Sequence, residues 1–94
     1  MRRLAVLLAL LLPSLGLADG RAPVGAASCL GCHGGGPSGF PSLDGLTAER
    51  IADAMAAFRD GHRAGSVMNR IARGFCEEES RAIAEYLAAR GSAR

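Results

Sequence analysis

The sequence predicts an all-α domain of three to four helices, and three observations predict it. Apolar residues recur at helical spacing, as at Ile51, Met55 and Phe58, which fall at i, i+4 and i+7 on one face. Nowhere do apolar and polar residues alternate with period two, so no sheet is expected. Helix punctuation is also dense, with capping residues before the periodic segments and glycines after them.

Residues 1–18 read as an export leader that takes no part in the fold. Arg2 and Arg3 form the charged start and Leu4 to Leu12 is an unbroken apolar run. Pro13 and Ser14 break that run, and Gly16-Leu17-Ala18 supplies the small residues a signal peptidase needs, with cleavage after Ala18. The alternative is a retained anchor, but even Leu4 to Ala18 is shorter than the roughly 20 residues a spanning helix requires. Residues 19–94 then form one domain with no membrane span, placed in the periplasm by the leader.

The formal net charge of +2 is carried by Arg2 and Arg3, so residues 19–94 balance. No basic stripe with interleaved aromatics appears, which excludes a nucleic-acid footprint. The chain has no Trp, one Tyr and three Phe, with 13 Gly. A domain this small and this poor in aromatic mass has little core of its own. A large flat buried group would supply the missing apolar surface.

In chain order, Pro23 suits a first helical turn and Val24 to Cys32 continue it. Gly25, Ala26 and Ala27 are small enough for a second helix to cross closely, and Gly34-Gly35-Gly36 stops the segment. Pro37 to Gly45 is a loop. Leu46 to Asp60 is a helix capped by Thr47, stapled by Leu46 against Ile51 and ended by Gly61. A polar loop with His62 follows. Ser66 is placed to cap a short helix through Arg73, with Gly74 at the C′ position. Glu77, Glu78 and Glu79 suit the positive end of a last helix that runs to Arg90 and stops at Gly91. Its inward face is Ile83, Tyr86 and Leu87. Cys76 stands at its N-cap with Glu79 as reciprocal partner, though a thiol accepts weakly.

The chemistry-bearing stretch is Cys29-Leu30-Gly31-Cys32-His33. This is the attachment pattern of a c-type haem. Each thiol can add across one vinyl group, and residues one helical turn apart project to the same side, so both sulfurs meet one porphyrin edge. His33 can then ligate the iron from that face. A redox dithiol would need strand–helix alternation around it, and a structural zinc site would need a second ligand pair; neither is visible. The reading is therefore one covalent haem c on Cys29 and Cys32, with three to four helices wrapped around it. The third cysteine, Cys76, reads first as a small, partly buried residue without a functional consequence, with pairing to another chain or a free thiol as the alternatives.

For the far side of the iron the candidates are Met68, His62 and Met55, or an open site. Met55 stands at core spacing and His62 in a polar loop. Met68 follows a glycine-rich approach past the middle helix and ranks first. A thioether favours ferrous iron and raises the potential, whereas an open site would allow gas or peroxide chemistry.

These features in this order resemble the class I cytochromes c. The matching residues are Cys29 to His33 with Gly34, then Pro41-Ser-Leu-Asp-Gly45, Ala57 to Gly61, Val67 to Phe75, and Glu78 through Leu87. The resemblance implies the cytochrome c fold, covalent haem on Cys29 and Cys32, and axial ligands His33 and Met68. It also implies that the carbonyl of Pro41 accepts the other ring N–H of His33, and that the first and last helices cross, with Gly25 as a close-contact point and Tyr86 on the partner helix. The segment from Phe58 to Tyr86 is similar to the cytochrome subunit of flavocytochrome c sulfide dehydrogenase and to related small periplasmic monohaem cytochromes c.

The function this implies is periplasmic electron transfer, not catalysis. The chain would work either as a free carrier or as the electron-accepting subunit of an enzyme, with redox proteins such as a flavoprotein dehydrogenase subunit as partners. The alternatives are a tightly bound subunit of a sulfur-oxidising complex and a sensor or catalytic haem with an open sixth site.

Overall fold

The structure, a computed structural model, describes residues 21–35 and 39–93. The leader assigned to residues 1–18 lies outside them. The described residues form four helices in chain order: α1 (Ala26–His33), α2 (Ala48–Asp60), α3 (Met68–Ala72) and α4 (Glu77–Ser92). No strand occurs among the described residues, as the lack of period-two alternation requires. None of their helices is long and apolar enough to cross a membrane.

The scaffold is the pairing of the two longer helices, α2 and α4, onto which the short helices dock. α3 packs on α2, and α1 packs on α4. The core joins Ile51 of α2 to Ile83, Ala84 and Leu87 of α4, with Ala26 of α1 fully buried against them. Burying each large aliphatic side chain contributes about 1.5–3 kcal/mol. Alanine at positions 26 and 84 keeps the α1–α4 contact close.

α2 forms as its caps dictate. The Thr47 hydroxyl accepts the Arg50 N–H at 3.2 Å. Gly61 adopts φ 80° at the far end and donates its N–H to Phe58 O, a left-handed cap that favours glycine. Leu46 and Ile51 both reach the core, consistent with the staple.

Three boundaries differ from expectation. α1 begins at Ala26, because Gly25 takes φ +93° and breaks the helical path before it. Pro23 instead opens a turn whose carbonyl accepts the Ala26 N–H at 3.1 Å. Gly25 is a close-approach point, and its nearest side chains are Phe75 and, on α4, Ile83. A Cβ there would lie 2.6 Å from Phe75 Cε1 and 3.5 Å from Ile83 Cδ1. α3 begins at Met68 behind Val67, with no side-chain cap, so Ser66 does not cap it. α4 runs through Gly91 to Ser92. Gly91 is buried there because a Cβ would stand 3.1 Å from the Asp44 Cα. The glycine thus serves the packing of the loop against α4, not helix termination.

At the other end of α4 the capping box is complete. The Glu79 N–H donates to Cys76 Sγ at 3.5 Å, and the Cys76 N–H donates to Glu79 Oε1 at 3.0 Å.

Candidate haem-binding site

α1 presents Cys29, Cys32 and His33 on one helix. Cys29 is half-buried and donates its S–H to the Gly25 carbonyl at 3.5 Å. Burial pushes its thiol above its ordinary pKa, and the neighbouring Cys32 acts in the same direction against a backbone hydrogen bond. Cys32 is exposed, and neither residue is in a disulfide.

His33 Nδ1 lies 2.6 Å from the carbonyl oxygen of Pro41. A carbonyl only accepts, so Nδ1 carries the proton of this hydrogen bond. That tautomer leaves the Nε2 lone pair for a ligand bond and makes the imidazole a better donor. The Phe40 ring meets His33 edge-on, with centroids 6.4 Å apart. The loop before α2 thus touches the imidazole through two adjacent residues, Phe40 and Pro41.

Met68 opens α3 and is half-buried. His62 is exposed in the loop before it, and Met55 is 6 % exposed in the core face of α2. α1, which carries His33, docks on α4, and α3, which carries Met68, docks on α2. Phe40 (51 %), whose ring meets His33, and Val67 (52 %) and Ile71 (39 %), close to Met68 in the chain, expose large apolar side chains.

These features fit a haem. Two thiols one helical turn apart can take its vinyl groups, and an imidazole held as the Nδ1–H tautomer can take its iron. The exposed apolar side chains supply surface that a porphyrin face would cover. Among the described residues no group of three or more His, Cys, Asp or Glu is placed to hold a metal ion by itself.

The structure also shows a residue that sequence reasoning did not single out. Asn69 Oδ1 accepts the Gly65 N–H at 2.7 Å, and its Nδ2 donates to Phe58 O at 2.9 Å and Arg63 O at 3.0 Å. The available signal was an amide beside a candidate ligand at the end of a glycine-bearing loop.

Fold and site together define an all-α protein whose first helix carries a haem-attachment pattern. No family model matches the chain. Curated relatives do. The chain is 39 % identical over 71 residues to the cytochrome subunit of sulfide dehydrogenase of Chlorobaculum tepidum, covering 72 % of this chain and 64 % of that protein. It is 39 % identical over 70 residues to the thiosulfate dehydrogenase electron acceptor of Thiomonas intermedia, covering 69 % of this chain and 32 % of that protein. It is 37 % identical over 76 residues to cytochrome c-554(547) of Halothiobacillus neapolitanus, covering 66 % of this chain and 84 % of that protein. The chain therefore spans less than two thirds of the first two relatives but most of the third. It belongs to the small c-type cytochromes, with the all-α cytochrome c fold.

Proposed function

We propose that the chain is an exported one-electron carrier holding a single covalent haem c, on Cys29 and Cys32, with His33 and Met68 as axial ligands. The observation that carries this reading is the 2.6 Å contact from His33 Nδ1 to Pro41 O, which frees Nε2 for the iron. When bound, the haem supplies the one-electron ferric/ferrous couple. The chain's own residues hold that group still. α1 would fix the two sulfurs, the Pro41 carbonyl holds the His33 proton, and α3 would present the Met68 thioether. Residues held in this way would need little rearrangement on a change of iron charge, which favours fast transfer.

The leader at residues 1–18 sends the chain to the periplasm in this reading. The partner is a sulfur-oxidising dehydrogenase with a flavoprotein subunit, a role supported by the similarity to the sulfide dehydrogenase cytochrome subunit. Work as a free soluble carrier is the second form of the same activity, supported by the similarity to cytochrome c-554(547).

The full chain made in a host that attaches c-type haem tests this. The intact mass should equal residues 19–94 plus one haem, with Cys29 and Cys32 closed to alkylation. Met68→Ala should abolish the weak far-red band of a ferric Met-ligated haem and lower the potential. Met55→Ala should keep the band. Colourless protein with both thiols free would end the proposal. Native purification distinguishes the two forms: a flavoprotein that co-elutes marks the bound subunit.

A further inference from the structure

We propose that Asn69 is the positioning residue that keeps Met68 on the iron. The inference rests on the Met68 ligand reading above.

α3 is short, Met68–Ala72, and starts without a side-chain cap at Val67. An isolated helix of this length does not hold itself. Something else must fix where Met68 stands, and the side chain next to it is placed to do so. Asn69 joins three backbone points that are distant from one another in conformation. Phe58 O lies in the last turn of α2, Arg63 O in the loop, and Gly65 N just before α3.

The chemistry of the three partners selects an amide. One partner is an N–H and needs an acceptor; two are carbonyls and need donors. Asn offers one carbonyl oxygen and two N–H donors, so one orientation satisfies all three and the flipped one satisfies none. The loop is shaped to allow it. A Cβ on Gly65 would lie 2.8 Å from Phe58 Cε1 and 3.4 Å from Asn69 Oδ1. The Arg63 guanidinium covers the same Phe58 ring at 4.7 Å from its centroid, and the Arg63 backbone N–H donates to Ala57 O at 3.1 Å. The loop from Gly61 to Val67 is thus folded back on the end of α2, and Asn69 is the clip. Opening the clip frees α3 to swing and Met68 to leave.

An added ligand that competes for the iron measures this opening directly. Its apparent affinity scales with the fraction of molecules in which Met68 is off. Imidazole titrated into the ferric holoprotein is the probe. Asn69→Ala loses three hydrogen bonds and should bind imidazole about ten-fold more tightly or better. Asn69→Asp is nearly isosteric, keeps the Gly65 bond and turns a carboxylate oxygen against two carbonyls. It should bind imidazole more tightly still. An affinity unchanged within about two-fold in both variants overturns the proposal. Met68→Ala run beside them separates the two readings. If it leaves the far-red band and imidazole affinity as in the parent, the ligand assignment has failed. If it abolishes the band while the Asn69 variants behave as the parent, the clip has failed.

A measurement on the unaltered protein covers the case in which a variant does not mature. Imidazole binding should speed deuterium exchange at the Gly65 amide and leave the Ser80 amide of α4 unchanged. Gly65 exchange that does not respond to imidazole overturns the proposal.

Discussion

The carbonyl oxygen of Pro41 and Nδ1 of His33 stand 2.6 Å apart, across eight positions of the chain. This one contact couples the conformation of a loop to the electronics of the proposed iron ligand. A donated Nδ1–H makes the imidazole more basic and so favours ferric iron. Because the acceptor belongs to the backbone, substitution at position 41 acts on where the carbonyl sits and not on whether it exists. Proline locks φ there, and glycine frees it. Pro41→Gly should therefore raise the reduction potential of the holoprotein, read by redox titration, with the helical far-ultraviolet signal unchanged. A potential equal to the parent's would show that the loop holds the carbonyl without the ring.

Gly25 and Gly91 make a graded pair. A Cβ at Gly91 would stand 3.1 Å from Asp44 Cα and 3.3 Å from Gly45 N. The loop must give way by a few tenths of an ångström. Gly91→Ala should cost about 1–3 kcal/mol as an overpacking change. At Gly25 the backbone is at φ +93° and the added carbon would lie 2.6 Å and 2.7 Å from the Phe75 ring. Gly25→Ala adds backbone strain to the clash and should cost more than Gly91→Ala. Urea midpoints of the two holoproteins give the order, and equal midpoints would deny the closer packing assigned to Gly25.

What was legible before the structure divides along a physical line. Signals carried by near neighbours in the chain were clear. Thr47 and Gly61 bracket α2 through contacts within one turn, Cys76 and Glu79 form a reciprocal cap three residues apart, and the Cys29–His33 pattern needs a single helix. Signals set by distant neighbours were not. At Gly25 a Cβ would meet Phe75 and Ile83, and at Gly91 it would meet Asp44, contacts that only the fold reveals. Ser66 had the chemistry of a cap, yet the geometry of that loop is decided by Asn69 reaching Phe58 and Arg63. The Met68 environment was the least legible part for the same reason.

Cys76 gives a prediction of opposite sign. Its Sγ accepts the Glu79 N–H at 3.5 Å, where a hydroxyl would form a shorter and stronger bond. Cys76→Ser keeps the capping box and improves its weaker half. It should stabilise the protein by about 0.5–1 kcal/mol, while Cys76→Ala should destabilise it by a comparable amount. Denaturant unfolding of the three proteins checks the order Ser, Cys, Ala. Loss of stability in the serine variant would mean that packing of the sulfur outweighs capping.

The same cap makes stability depend on pH. The Cys76 backbone N–H, followed by the Cys76 side chain, holds the Glu79 carboxyl below its ordinary value of 4.5. With a folded pKa below the unfolded one, the unfolded chain binds the proton more readily in between, so stability rises with pH across that interval. The contribution is present in full above pH 4.5 and is lost as pH falls through the lower folded value. Glu79 is fully exposed, so the effect is small and is best seen as a difference. Glu79→Gln keeps an oxygen for the Cys76 N–H but cannot titrate. Its unfolding midpoint should fall less steeply than the parent's as the solution is acidified, and the two curves should converge at the acid end. Parallel curves throughout would mean that the Glu79 carboxylate is held no more strongly in the folded chain than in the unfolded one.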